Sequence, residues 1–186
     1  GDEDDYFQSS LFTIARRRIL WLLILVLANG LTTKVIAMND QILKEIVLLA
    51  AFIPLLIGTG GNVGAQSSTV VIRGLSTQKL KSLGAIKAVV KEAITGALLG
   101  VFMMLVVFPF AWWQGEGPLI ASAVGISLIS ITTLAATTGA ILPLLFDRMK
   151  LDPALMSSPF ITTVTDIAGV FIYLSTAKWL LNSSLA

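Results

Sequence analysis

Cysteine and histidine are both absent from the 186 residues, which removes most metal and nucleophile chemistry. Zinc, haem, copper and iron–sulfur centres lose their usual ligands, and Ser-His or Cys-His catalysis is impossible. Without cysteine, usage gives no clue to redox compartment. Charge is also scarce: 13% of the residues are Asp, Glu, Lys or Arg, against about 25% in an ordinary soluble domain. With 55% hydrophobic residues and a mean hydropathy of +0.87, that scarcity marks a membrane protein. The net charge of +2 calls for no nucleic-acid partner, because the basic residues cluster beside apolar runs.

What is present is five apolar segments, at about 19–37, 42–72, 88–113, 119–145 and 159–181. Each meets the ~20 residues needed to cross a 30 Å hydrocarbon core as a helix. The expectation is an all-α membrane protein with five transmembrane helices, comprising a short cytoplasmic segment 1–18 and a membrane domain 19–186. Arg16, Arg17 and Arg18 precede the first segment. Arg73, Lys79, Lys81, Lys87 and Lys91 separate the second from the third, and Arg148 and Lys150 the fourth from the fifth. Ten of the thirteen basic residues thus fall on one side, and only Lys34, Lys44 and Lys178 on the other. The richer side is the cytoplasm, so the N terminus lies inside and the C terminus outside. Trp112, Trp113 and Trp179 then fall at the outer interface and Trp21 near the inner one, as aromatic belts do. No internal repeat is visible, so any symmetry must come from a second copy.

The second segment is too long for a straight crossing, since thirty helical residues reach about 45 Å. Within it stand Pro54 and then Gly58, Gly60, Gly61 and Gly64. Proline removes a helical hydrogen bond, and each glycine lowers helix stability by ~1 kcal/mol relative to alanine. The helix is expected to break here, offering free carbonyls and the Asn62 amide as oxygen ligands for a hard cation. The other reading is that the glycines permit close helix packing. No strand precedes this run, which sets aside a dinucleotide fingerprint. In the third segment Gly96 and Gly100 form a small-xxx-small pattern of close helix contact.

The fifth segment carries a carboxylate, Asp166, in its first third. An ionisable group inside a bilayer costs at least ~2.5–3.5 kcal/mol on insertion scales, so function is the default explanation. Ser158, Thr162, Thr165, Asp166, Gly169 and Tyr173 recur at spacings of three and four, which places them on one helical stripe. Such a stripe suits a wet cavity; the alternative is a protonated Asp bonded to a neighbouring helix. Counted from the cytoplasmic side, Asn62 lies about 16 Å deep and Asp166 about 11 Å, so the two can share one level.

Two runs resemble the membrane domain of the MgtE magnesium channel family. One is Pro54 followed by Gly60-Gly61-Asn62-Val63-Gly64-Ala65-Gln66. The other is Asp152-Pro153-Ala154 followed by Ser157-Ser158-Pro159 and by Asp166, Gly169, Ile172 and Tyr173, with Leu142-Pro143 closing the segment before it. The resemblance covers essentially the whole chain. It implies a homodimer with a divalent-cation pore on the two-fold axis, in the plasma (inner) membrane. Asp166 matches the family's pore acid, which binds a hydrated Mg²⁺, and Asn62 matches its pore asparagine. Gly58 and Thr162 fall where backbone or side-chain oxygens approach the ion, and Ser158 where some members carry Asn. Asp152 matches an acid at the cytoplasmic mouth that helps an ion hold the closed state. Family members place a cytosolic N domain, paired CBS domains and a plug helix before the membrane part. Residues 1–18 then read as a remnant of that connecting helix.

The chemistry agrees. Mg²⁺ sheds water reluctantly and favours one or two carboxylates with several retained waters. Mn²⁺, Co²⁺ and Ca²⁺ are the competing ions. The rival function is a secondary transporter coupling Mg²⁺ to H⁺ or Na⁺, with Asp166 as proton relay. An intramembrane aspartyl protease needs two interacting carboxylates. The protomer has one at depth, so an enzyme is not expected.

Overall fold

The computed structural model describes residues 11–77, 80, 84–113 and 117–184, with six helices among them. These are α1 Leu11–Ala37, α2 Asp40–Glu45, α3 Val47–Ser76, α4 Ala85–Ala111, α5 Gly117–Arg148 and α6 Pro153–Ser184. A hydrocarbon core offers no water to backbone polar groups, so a chain this apolar satisfies them within helices. Four stretches are long and apolar enough to cross a membrane: Val47–Ser76, Ala85–Ala111, Gly117–Arg148 and Ser157–Asn182. The first expected segment lies within a continuous helix of 27 residues, in which Leu22–Ala37 is an uninterrupted apolar stretch of described side chains. The acidic run at 2–5, together with Lys79 and Lys81, lies outside the described residues, as do the side chains of Arg17, Arg18 and Trp21.

Contacts at the glycines fix the helix directions. Gly60 and Gly64 of α3 lie against Ile131 and Ala135 of α5, so these helices run parallel. Gly96 and Gly100 of α4 lie against Ala136 and Ile129 of α5, which makes that pair antiparallel. Gly60, Gly61 and Gly64 also meet Thr165, Thr162 and Ile161, so α3 and α6 are antiparallel. Helix α5 is central, touching α3, α4 and α6, with Val124, Leu128, Ile131, Ala135 and Ala140 wholly buried. Helix α1 lies mainly on α6.

One end of the bundle holds the main apolar cluster. Leu49, Phe52 and Leu56 of α3 pack there with Ile120 and Val124 of α5, Val170, Tyr173 and Leu174 of α6, and Val35 and Ile36 of α1. Trp112, Trp113 and Trp179 are exposed towards the same end. The last turns of α3 and α5 and the first turns of α4 and α6 form the opposite end, which carries Arg73, Lys87, Arg148 and Lys150. Between the ends, small residues bring backbones together as the third segment's pattern leads one to expect. A Cβ on Gly96 would stand 2.6 Å from the Thr132 carbonyl oxygen, so nothing larger than glycine fits without moving α4.

The expected break in the second segment does not occur. Helix α3 runs unbroken for 30 residues through Pro54 and all four glycines. The irregular residue is instead Ile46, at φ −129° and ψ 82°, which separates α2 from α3. Propensity is measured on isolated helices; here Gly60 and Gly64 are buried against α5 and α6, and the close packing they allow outweighs their helix cost. Within an intact helix the only carbonyl that Pro54 leaves without its usual donor is that of Ala50, one turn back towards the apolar-cluster end. The carbonyls around Gly58 are therefore bonded within the helix and not freed by a break.

The α5–α6 turn is built from local hydrogen bonds. Lys150 has φ 58°, Leu151 N–H donates to the Phe146 carbonyl at 2.9 Å and Lys150 N–H to that of Asp147 at 3.0 Å, the double closure of a Schellman motif. Asp152 then caps α6: its carboxylate accepts from Ala154 N–H at 2.8 Å, with Pro153 at the first helical position.

Candidate functional site

The seam between α3 and α6 assembles five of the six candidate residues. Gly58 and Asn62 are one turn apart on α3, and Ser158, Thr162 and Asp166 are successive turns of one face of α6. Ser158, Thr162, Gly58 and Asn62 are exposed and Asp166 is half-buried. Because Gly61 faces Thr162 and Gly60 faces Thr165, the next residue on each helix, Asn62 and Asp166, belongs to the same stretch of seam. The α3 face continues as a groove lined by Asn62, Ala65, Gln66, Thr69, Val70 and Arg73. The candidate set read from sequence misses Gln66, Thr69 and Arg73, although their spacings of four, seven and eleven from Asn62 put them on its face.

The predicted α6 stripe is only half open. Gly169 and Tyr173 lie on it but are buried, Tyr173 within the main apolar cluster. Thr165 is buried beside Gly60, its hydroxyl donating to the Ile161 carbonyl at 2.7 Å. From Gly169 onwards the stripe is covered because the apolar cluster closes over that end. What remains open runs from Ser158 to Asp166.

Hydroxyl protons along the seam are committed to the helices that carry them. Thr162 Oγ1 donates to the Pro159 carbonyl at 3.0 Å, and Thr59 Oγ1 to that of Leu55 at 2.7 Å. On α5, Ser130, Thr133 and Thr137 likewise bond the carbonyls one turn back. A hydroxyl whose proton is spent presents only lone pairs outwards. Neither the Asp166 carboxylate nor the Asn62 amide has a hydrogen-bond or ion-pair partner among the described residues, where Asp40 and Lys44 form the ion pair at the apolar-cluster end. Also among the described residues, no three acidic side chains gather as a metal cluster.

Asp152 stands apart, exposed at the start of α6 and about 21 Å along the axis from Asp166. Its cap bond gives it a structural role that can be separated from its charge. Asp152→Asn retains a capping oxygen and should leave stability unchanged, whereas Asp152→Ala should lose about 1 kcal/mol. Denaturant unfolding of the two variants in detergent checks this; equal losses would assign the contribution to charge instead of the cap.

The fold and seam define a class: a polytopic helical membrane protein with an unpartnered carboxylate and amide on a polar inter-helix face. Residues 53–176 match the family model MgtE, described as a divalent cation transporter, and the chain belongs to that family. It is 39% identical over 166 residues to the magnesium transporter MgtE of Thermus thermophilus, covering 89% of this chain and 37% of the relative. It is 32% identical over 182 residues to that of Bacillus subtilis, covering 97% and 40%. It is 34% identical over 168 residues to that of Enterococcus faecalis, covering 88% and 36%. The chain thus spans well under half the length of these relatives.

Proposed function

We propose that this chain is the pore-forming membrane part of a homodimeric Mg²⁺ channel, with the α3–α6 seams of two copies facing each other across the two-fold axis. The observation that carries the reading is Asp166: a carboxylate within a membrane-length helix, on an open face, with no partner among the described residues. Two such carboxylates, one from each copy, supply the charge a hydrated Mg²⁺ favours. Asn62, Thr162 and Ser158 would accept hydrogen bonds from its waters, Thr162 through the lone pairs its bond to Pro159 leaves outward. Gly58 contributes by presenting no side chain, so a bulky hydrated ion can pass. The name shared by the three relatives supports Mg²⁺ as cargo.

Helix α1 is the fifth crossing in this reading. Its C-terminal Val35 and Ile36 join the main cluster, while its exposed Arg16 belongs with the basic end, which faces the cytoplasm. Regulation by cytosolic N and CBS domains in a full-length protein, and an ion held near Asp152 in the closed state, belong to the same proposal.

Mg²⁺ influx into liposomes containing the purified chain tests it. Flux driven by the Mg²⁺ gradient alone, with stepwise single-channel currents, is the expected result. Flux that requires an H⁺ or Na⁺ gradient would make the protein a coupled carrier, and no Mg²⁺ flux under either regime would overturn both. Competition by Mn²⁺, Co²⁺ and Ca²⁺ ranks the ions. Arg73, which ends the groove at the basic side, opposes an entering cation. Arg73→Gln should therefore raise divalent flux severalfold at low ionic strength, with the gain shrinking as salt screens the charge. A gain independent of salt would refute the electrostatic origin.

A further inference from the structure

At the basic end, on the side formed by α4 and α5, an apolar trough runs between Ile86, Val89 and Val90 of α4 and Ile141, Leu144 and Leu145 of α5. Its volume of about 320 Å³ lies within the ligand-site range of roughly 300–1,000 Å³. Gly96 and Gly100 seat α4 tightly on α5 farther along the pair, whereas the trough is lined by the branched side chains of Ile86, Val89, Val90 and Ile141. A second cavity adjoins it, lined by Leu75, Ser76, Leu80, Gly84, Asp147 and three residues that also line the trough: Ala85, Leu144 and Arg148. The two cavities differ in character, one apolar and one mainly polar, and Arg148 stands at their junction. Its side chain is exposed, and its guanidinium has no ion-pair partner among the described residues.

We infer that the joined cavities bind one anionic phospholipid, with an acyl chain in the trough and the phosphate at Arg148. The arrangement matches a lipid in three respects. The trough opens along helices long enough to span a membrane, so hydrocarbon chains are the medium that fills it. The polar cavity lies where α4 begins and α5 ends, the depth of headgroups. Arginine can lay its stem on apolar surface while its head reaches that depth, and its planar fork pairs with phosphate oxygens. Arg148 itself, Lys87 in the first turn of α4 and Lys150 just beyond α5 stand against Asp147 and Asp152, so the local balance is positive and favours an anion. This site is separate from the α3–α6 seam, and the inference does not depend on the transport reading.

The test is native mass spectrometry of the intact chain in detergent, titrated with phosphatidylglycerol or with phosphatidylcholine of the same chains. The wild type should retain phosphatidylglycerol preferentially. Arg148→Gln should weaken that retention roughly fivefold, the worth of one basic residue at an anionic surface, and weaken phosphatidylcholine less, since its choline cation already offsets the phosphate charge. Arg148→Lys should restore much of the preference, which separates lost charge from lost folding. Val89→Trp, filling the trough and sparing the charge, should reduce retention of both lipids. Equal retention of the two lipids by the wild type, or undiminished phosphatidylglycerol on Arg148→Gln, would overturn the inference. So would full displacement by inorganic phosphate, because the chain-binding trough would then contribute nothing.

Discussion

Asp166→Asn should abolish measurable Mg²⁺ influx while leaving the protein folded. The two side chains have nearly the same shape, and Asp166 makes no hydrogen bond or ion pair among the described residues whose loss would unfold the helix. What disappears is charge, twice over in a dimer. A pair of unit charges ~4 Å apart interacts by ~4 kcal/mol at an effective dielectric near 20. A divalent ion between two carboxylates gains more, and desolvation takes part of it back. Ion binding should fall by at least ~3 kcal/mol, roughly a hundredfold. Indicator fluorescence in proteoliposomes reads the flux, and thermal unfolding in detergent confirms that the variant is intact. Undiminished influx through folded Asp166→Asn protein would remove this carboxylate from the ion's path.

The second large effect is on stability. Gly139→Ala should destabilise the bundle by about 1–3 kcal/mol, the usual cost of overpacking. An added Cβ there would overlap the Gly64 carbonyl oxygen and stand 3.0 Å from its carbonyl carbon and 3.1 Å from its Cα. All three are main-chain atoms, so no side chain can rotate aside and α3 must separate from α5. Since Gly64 also touches Ile161 of α6, that separation would disturb the seam and lower flux as well. Gly58→Ala is the control: a Cβ there meets nothing within 4 Å, and the substitution should hold or raise stability by up to ~1 kcal/mol. Denaturant midpoints of the two variants make the comparison. A Gly139→Ala protein as stable as Gly58→Ala would show that α3 and α5 are looser than the structure has them.

Reading the chain from its sequence succeeds where a physical cause is local and fails where the cause lies on another helix. Gly96 and Gly100 advertise a close contact by their spacing, and they sit buried on α5. Asp152-Pro153 is a local helix-start signal that counting apolar residues over 159–181 passes over, and α6 begins there, with the cap bond to Ala154. The glycines of α3 mislead because their cost is a property of an isolated helix, whereas Ile131, Ala135 and Thr165, which make that cost worthwhile, come from α5 and α6. The α6 stripe is correct in angle, but which part stays open depends on how far the apolar cluster around Tyr173 extends. Periodicity cannot show that. The first segment forms its helix, which begins at Leu11, ahead of Arg16, because nothing local in the sequence marks where that helix starts.

The meeting of Gly64 with Gly139, and the seating of Gly96 and Gly100 on α5, are contacts of main chain with main chain or with the atoms nearest to it. Such contacts have no rotamer through which to yield. Helices α3, α4 and α5 therefore act as one stiff slab. Helix α6 rests on that slab through side chains, the methyl groups of Ile161, Thr162 and Thr165 and the apolar cluster around Tyr173, and α1 leans mainly on α6. A displacement of α1 would therefore reach the helix that bears Asp166 before the helix that bears Asn62.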